Sequence, residues 1–137
     1  MSRSAAGMTI TALALATGLT GGAGHALAQA TNPCPTVTAK QADVSVDGNA
    51  IANPDCLTIT KKKTTVVWTG TAEVKTLTIT FKDRATKHPP DDPQCTGAQC
   101  TSDKLKLDKV GSFDYSIVVV RQDGSTATVD PKLIIQP

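Results

Sequence analysis

The stretch Gly111-Ser-Phe-Asp-Tyr-Ser-Ile-Val-Val-Val120 constrains the fold more than any other. Phe113, Tyr115, Ile117 and Val119 fall on one side of an extended chain, and Ser112, Asp114 and Ser116 on the other. An alternation with period two is the pattern of a half-buried β-strand. At Val118 and Val120 the second face turns apolar as well, which predicts a strand running from a half-exposed start into a buried middle.

The chain around it reads as further strands and turns. Ala42, Val44 and Val46 alternate with Asp43, Ser45 and Asp47, and Asp47-Gly48-Asn49 is a turn signal. Asn53-Pro54-Asp55 is a second turn. Leu57 and Ile59 alternate with threonines, and Lys61-Lys62-Lys63 reads as a solvated hairpin turn. Thr64 to Thr69 is β-rich, with Val66 and Trp68 on one side. Leu77, Ile79 and Phe81 alternate with Thr76, Thr78 and Thr80. Leu105 and Leu107 are spaced as a short strand. Asp123-Gly124 is a strong hairpin turn, followed by short strands at Thr126 to Val129 and Leu133 to Ile135. No helical periodicity of useful length occurs. Such spacing predicts an all-β fold, a Greek-key β-sandwich of about seven to eight strands with antiparallel pairing.

Residues 1–30 have the layout of a secretory signal peptide. Arg3 supplies the positive start, Met8 to Leu19 is uncharged and apolar, and cleavage is expected after Ala28 or Ala30. The apolar run is too short for a membrane span. No twin Arg is present, so a general secretion route is expected. Residues 31–137 then form a single domain, periplasmic or secreted in a bacterium. All 12 acidic residues, and all of the 14 Lys and Arg except Arg3, lie in this part, leaving a net charge of about +1. No basic stripe marks a nucleic-acid binder.

Four cysteines, Cys34, Cys56, Cys95 and Cys100, lie in the mature part, and an even count in a small exported chain points to two disulfides. Cys95 and Cys100 are close in sequence and share one loop. Cys34 with Cys56 would tie down a start that otherwise frays. No Cys-x-x-Cys is present to favour zinc.

Lys82 to Lys104 is the irregular segment, with Pro89, Pro90, Pro93 and Gly97. It reads either as a decorated connection or as a recognition loop whose binding residues are Arg84, His88, Asp91 and Asp92. His88 is the one histidine outside the signal segment, and no Gly-x-Ser-x-Gly occurs, which leaves no set for nucleophilic catalysis. Asp91 and Asp92 read as a solvated pair rather than calcium ligands, and Trp68 as core.

Val66-Val67-Trp68 followed by a loop, Gly111-x-Phe113-x-Tyr115 opening a strand, and a strand at the C-terminus together resemble the cupredoxins. The run through Asp47-Gly48 and Leu57-Thr58-Ile59 fits the same plan. The resemblance spans most of Ala42 to Gln136 and implies a cupredoxin-like sandwich. In that family this strand pattern leads to a copper-ligating Cys, and Ile117 stands there in this chain. Thr69 to Thr80 has no histidine, and Val118 to Pro137 has neither His nor Met. Blue copper needs two His and a thiolate, so no cofactor is expected. The spacing of Cys56 and Trp68, with Tyr115-x-Ile117, is also similar to immunoglobulin-like sandwiches, where a second Cys would replace Ile117. The expectation is a non-catalytic binding or structural domain acting through 82–104. Its partner would be an exported protein or a cell-envelope component. The alternatives are a copper-binding electron-transfer protein or a small secreted hydrolase.

Overall fold

The structure, a computed structural model, describes residues 34–137. The expected signal segment and its cleavage sites lie outside the described residues. Cys34–Pro137 forms one compact unit of two mixed β-sheets packed as a sandwich. The strands are β1 (Thr36–Val37), β2 (Gln41–Val46), β3 (Ala52–Asn53), β4 (Cys56–Thr60), β5 (Thr65–Gly70), β6 (Val74–Phe81), β7 (Gln94–Thr96), β8 (Gln99–Thr101), β9 (Gly111–Arg121), β10 (Thr126–Val129) and β11 (Lys132–Gln136). A single helical turn, α1 (Arg84–Lys87), lies between β6 and β7. The strand count exceeds the expected seven to eight because β1 and β3 are two-residue strands and β7 and β8 arise inside the segment expected to be irregular.

One sheet runs β1-β4-β11-β9-β10, with β6 also paired to β9; the other runs β3-β2-β5-β8-β7. The expected antiparallel pairing is only partly correct. β2 with β5, β1 with β4, and β4 with β11 are parallel. The reason is the route of the chain: β2 and β5 share a sheet while β4, between them in sequence, belongs to the other. Each crossing of the sandwich resets the strand direction, and side-chain alternation carries no record of it.

The alternation does fix the faces. β2 buries Ala42, Val44 and Val46 and exposes the residues between them. β9 buries Phe113, Tyr115, Ile117 and Val119. Val118 and Val120 are half-buried rather than core. Their neighbours in register are threonines, Thr78 and Thr128 beside Val118 and Thr76 and Thr126 beside Val120, so they share an outer face. β10 and β11 keep one register along the same edge of β9. Asp130-Pro131 interrupts them, and Tyr115 N–H donates to Pro131 O there at 3.1 Å. β6 occupies the opposite edge.

Both disulfides form with the expected pairing, Cys34 with Cys56 and Cys95 with Cys100. All four aromatic residues of the chain meet in the core, edge to face: Trp68 on Tyr115 at 5.7 Å between ring centroids, Tyr115 on Phe81 at 5.9 Å, and Phe81 on Phe113 at 6.4 Å. Offset and edge-on arrangements suit the aromatic quadrupole.

Topology gathers the turns into two groups. β4 ends and β5 begins at the Lys61–Lys63 turn. Parallel pairing brings the start of β2 to the same end, where Thr65 N–H donates to Lys40 O at 2.9 Å and Thr64 Oγ1 to Ala39 O at 2.9 Å. The 102–110 connection joins them, with Lys62 N–H donating to Leu107 O at 3.1 Å. At the opposite end, Thr71 N–H donates to Val46 O and Gln122 N–H to Glu73 O, at 2.9 and 3.1 Å.

Candidate functional site

The segment 82–104 is more ordered than its composition implies. Gln94-Cys95-Thr96 and Gln99-Cys100-Thr101 are identical triplets around Gly97-Ala98, and they pair as a two-residue hairpin that extends the second sheet at β8. Gly97 has φ +58°, a region a Cβ disfavours, so glycine suits the turn. Cys95 and Cys100 stand directly opposite each other, which is why their bond forms. The repeated triplet with a small-residue centre was a hairpin signal in the sequence, and a reading built on prolines passes over it.

This segment also covers an exposed strand edge. β6 pairs with β9 on one side only. On the other side, Leu77 N–H donates to Gly97 O at 2.9 Å and Phe81 N–H to the Asp92 carboxylate at 2.7 Å. Unpaired edges invite pairing with other chains, and covering them is a common remedy. Asp92 also forms an ion pair with Arg84. Asp83 and His88 bracket α1 in the left-handed region, at φ 55° and 47°, and Lys87 reaches Asp83 and Asp114, each at 3.4 Å. The hydrogen bonds it donates to the Asp83 and Asp114 carboxylates hold the Lys87 ammonium above its ordinary range.

The four candidate binding residues therefore separate. Arg84 and Asp92 are engaged with each other, and Asp92 also with β6. His88 is exposed at the end of α1, and no hydrogen bond to it is found among the described residues. Asp91 is exposed and faces two shallow depressions. One, of about 400 Å³, is lined by Asp91, Asp92, Gln94, Ser102, Asp103 and Lys106 among others. Ser102 at its edge is buried and tied to β5: its hydroxyl accepts from Val66 N–H at 2.8 Å while its own N–H donates to Val66 O at 2.9 Å. The other, of about 250 Å³, is lined by Pro89, Pro90, Asp91, Leu105, Lys106, Asp108 and Lys109.

The expected strand at Leu105 and Leu107 is instead a turn. Asp103 dictates it. Its carboxylate accepts from Leu105 N–H at 2.9 Å, and its carbonyl accepts from Lys106 and Leu107 at 3.0 and 3.2 Å. A side chain that captures nearby backbone donors competes with the strand ladder. The result buries Leu107 and leaves Leu105 65% exposed.

Ile117 lies fully buried beside Ile79 and Val129 in register. Among the described residues, no three His, Cys, Asp or Glu side chains converge to hold a metal ion. No described helix is long and apolar enough to cross a membrane. The sequence matches no family model and no curated protein at a significant level.

Proposed function

We propose that the chain is an exported, disulfide-bonded binding domain that works without catalysis, through the end of the sandwich where 82–104 meets the 102–110 turn. The observation that carries this reading is the depression between the β7–β8 hairpin and that turn, where Asp91, Asp92 and Asp103 face Lys106. The charged side chains there stand on connections beside β7 and β8, which supply Gln94 and Thr101, a setting suited to recognition. Two disulfides in so small a domain fit an oxidising compartment outside the cytoplasm. The partner is another exported protein or a component of the cell envelope.

The reading is tested by affinity capture from a native envelope fraction, comparing the parent with Asp91→Ala/Lys106→Ala. Both residues are exposed, so the fold tolerates the change. Partners retained by the parent and lost by the variant are the expected result. Equal retention by both proteins would remove this surface from the function.

A further inference from the structure

The lysines of this chain are unevenly placed. Lys40, Lys61, Lys62, Lys63, Lys104, Lys106 and Lys109 all sit on the turns gathered at one end, joined by the Thr65–Lys40 and Lys62–Leu107 backbone hydrogen bonds. All seven are exposed. None forms an ion pair among the described residues, whereas Lys82, Arg84 and Lys87 on the flank are each paired with an aspartate. The same turns carry Asp103 and Asp108, and Asp91 and Asp92 lie against Lys106, so seven lysines stand with four acids. The opposite end carries Asp47, Asp55, Glu73 and Asp123, with Lys75, Arg121 and Lys132 among them. Unpaired lysines are thus concentrated at one end of a near-neutral domain, while acids and bases are mixed at the other.

A second observation names the counterpart. Leu105 stands between Lys104 and Lys106 and is 65% exposed, and Val110 beside Lys109 is 51% exposed. Both project from the lysine-bearing turn with no aromatic neighbour, because Trp68, Tyr115, Phe81 and Phe113 are all core. Binders of single-stranded nucleic acid commonly stack bases on aromatic side chains, and this end has none. Aliphatic tips ringed by lysines suit the boundary between lipid headgroups and acyl chains, where apolar burial and attraction to anionic lipid act together.

We propose that this end docks on an anionic phospholipid bilayer, with Leu105 and Val110 entering the headgroup boundary and the lysines resting on the phosphates. The inference rests on the reading of the protein as an exported binding module, and it names the envelope component as lipid. Docking orients the molecule, with the Asp47, Glu73 and Asp123 turns facing away from the bilayer.

The test is cosedimentation of the protein, recovered from its native compartment, with phosphatidylglycerol-rich and pure phosphatidylcholine vesicles. Binding to the former alone is expected, weakening as salt shortens the screening length. Lys61→Glu/Lys62→Glu/Lys63→Glu should lower it by about tenfold or more, and Leu105→Ser by several-fold. Lys82→Ala, on the flank, should leave it unchanged. Trp68 fluorescence confirms that each variant is folded. Absence of a preference for anionic vesicles, or a triple variant that binds like the parent, would overturn the proposal. So would binding that soluble dextran sulfate abolishes equally in parent and Leu105→Ser, which would mark a polyanion site without a lipid component. Those failures leave the binding-module reading standing. Recovery of the native protein from the cytoplasm with four free thiols would sink that reading instead.

Discussion

The indole N–H of Trp68 donates a hydrogen bond to the hydroxyl of Tyr115 at 3.2 Å, across the interior of the sandwich. Trp68 belongs to β5 in one sheet and Tyr115 to β9 in the other. The bond gives each buried polar tip its partner, so two large aromatic side chains pack without an orphaned donor.

Tyr115→Phe removes the acceptor and keeps the ring. The Trp68 N–H is then buried without a partner, which costs about 1–3 kcal/mol. Thermal unfolding should show a lower Tm than the parent, with Trp68 emission changed in the native state. An unchanged Tm would mean that the bond adds nothing to stability.

Burial pushes the Tyr115 hydroxyl up to about 12, against a small opposing contribution from the Trp68 hydrogen bond. It is the only tyrosine in the chain, so absorbance titration of phenolate reads it alone. Ionisation should occur well above the ordinary value of about 10. The folded state holds this proton more tightly than the unfolded chain. Its contribution to stability is therefore fully present below pH 10 and is lost as pH rises towards 12, amounting to about 3 kcal/mol at most. A midpoint near 10 in the native protein would contradict this.

Asp92 and Arg84 form an ion pair but differ in importance. The Asp92 carboxylate also holds the Phe81 N–H of β6, whereas Arg84 is about half exposed. Arg84→Ala should change stability by less than about 1 kcal/mol, as for surface pairs generally. Asp92→Ala should cost more, about 1–3 kcal/mol, because it frees a backbone donor at a strand edge. Amide exchange at Phe81 separates the two: it accelerates in Asp92→Ala and stays slow in Arg84→Ala.

The two disulfides close loops of different length, with sequence separations of 22 and 5. Chain entropy assigns about 3 kcal/mol to the longer and about 2 kcal/mol to the shorter. Cys34→Ser/Cys56→Ser should therefore lower the denaturation midpoint more than Cys95→Ser/Cys100→Ser. The reverse order would mean that the β7–β8 hairpin depends on its bridge more than β1 does.

The sequence made the core of this fold legible because strands that bury one face must alternate. Ala42, Val44 and Val46, and Phe113 through Val119, are buried as their spacing requires. Cysteine spacing carried the disulfides for a similar reason, since Cys95 and Cys100 had few other routes. Strand direction was not legible, because parallel and antiparallel strands alternate alike. The turn at Asp103 was hidden because Leu105 and Leu107 have strand spacing, and only the carboxylate of Asp103 breaks the ladder. The basic end was the least visible. Lys40, Lys61–Lys63 and Lys104–Lys109 lie far apart in the chain, and only the topology collects them. Of the residues singled out in the 82–104 segment, Asp91 alone faces open depressions with no ion pair or hydrogen bond among the described residues. Asp92 holds the edge of β6, and Arg84 is paired with it.

The register of β11 has a consequence for when this protein can fold. β11 lies between β4 and β9, pairing Leu133 with both Leu57 and Phe113. The first sheet thus has a gap at its centre until Lys132–Gln136 is present. Contacts so distant in sequence form slowly, and no earlier strand fills the position. A ribosome-bound chain therefore cannot complete this core until Lys132–Gln136 has emerged.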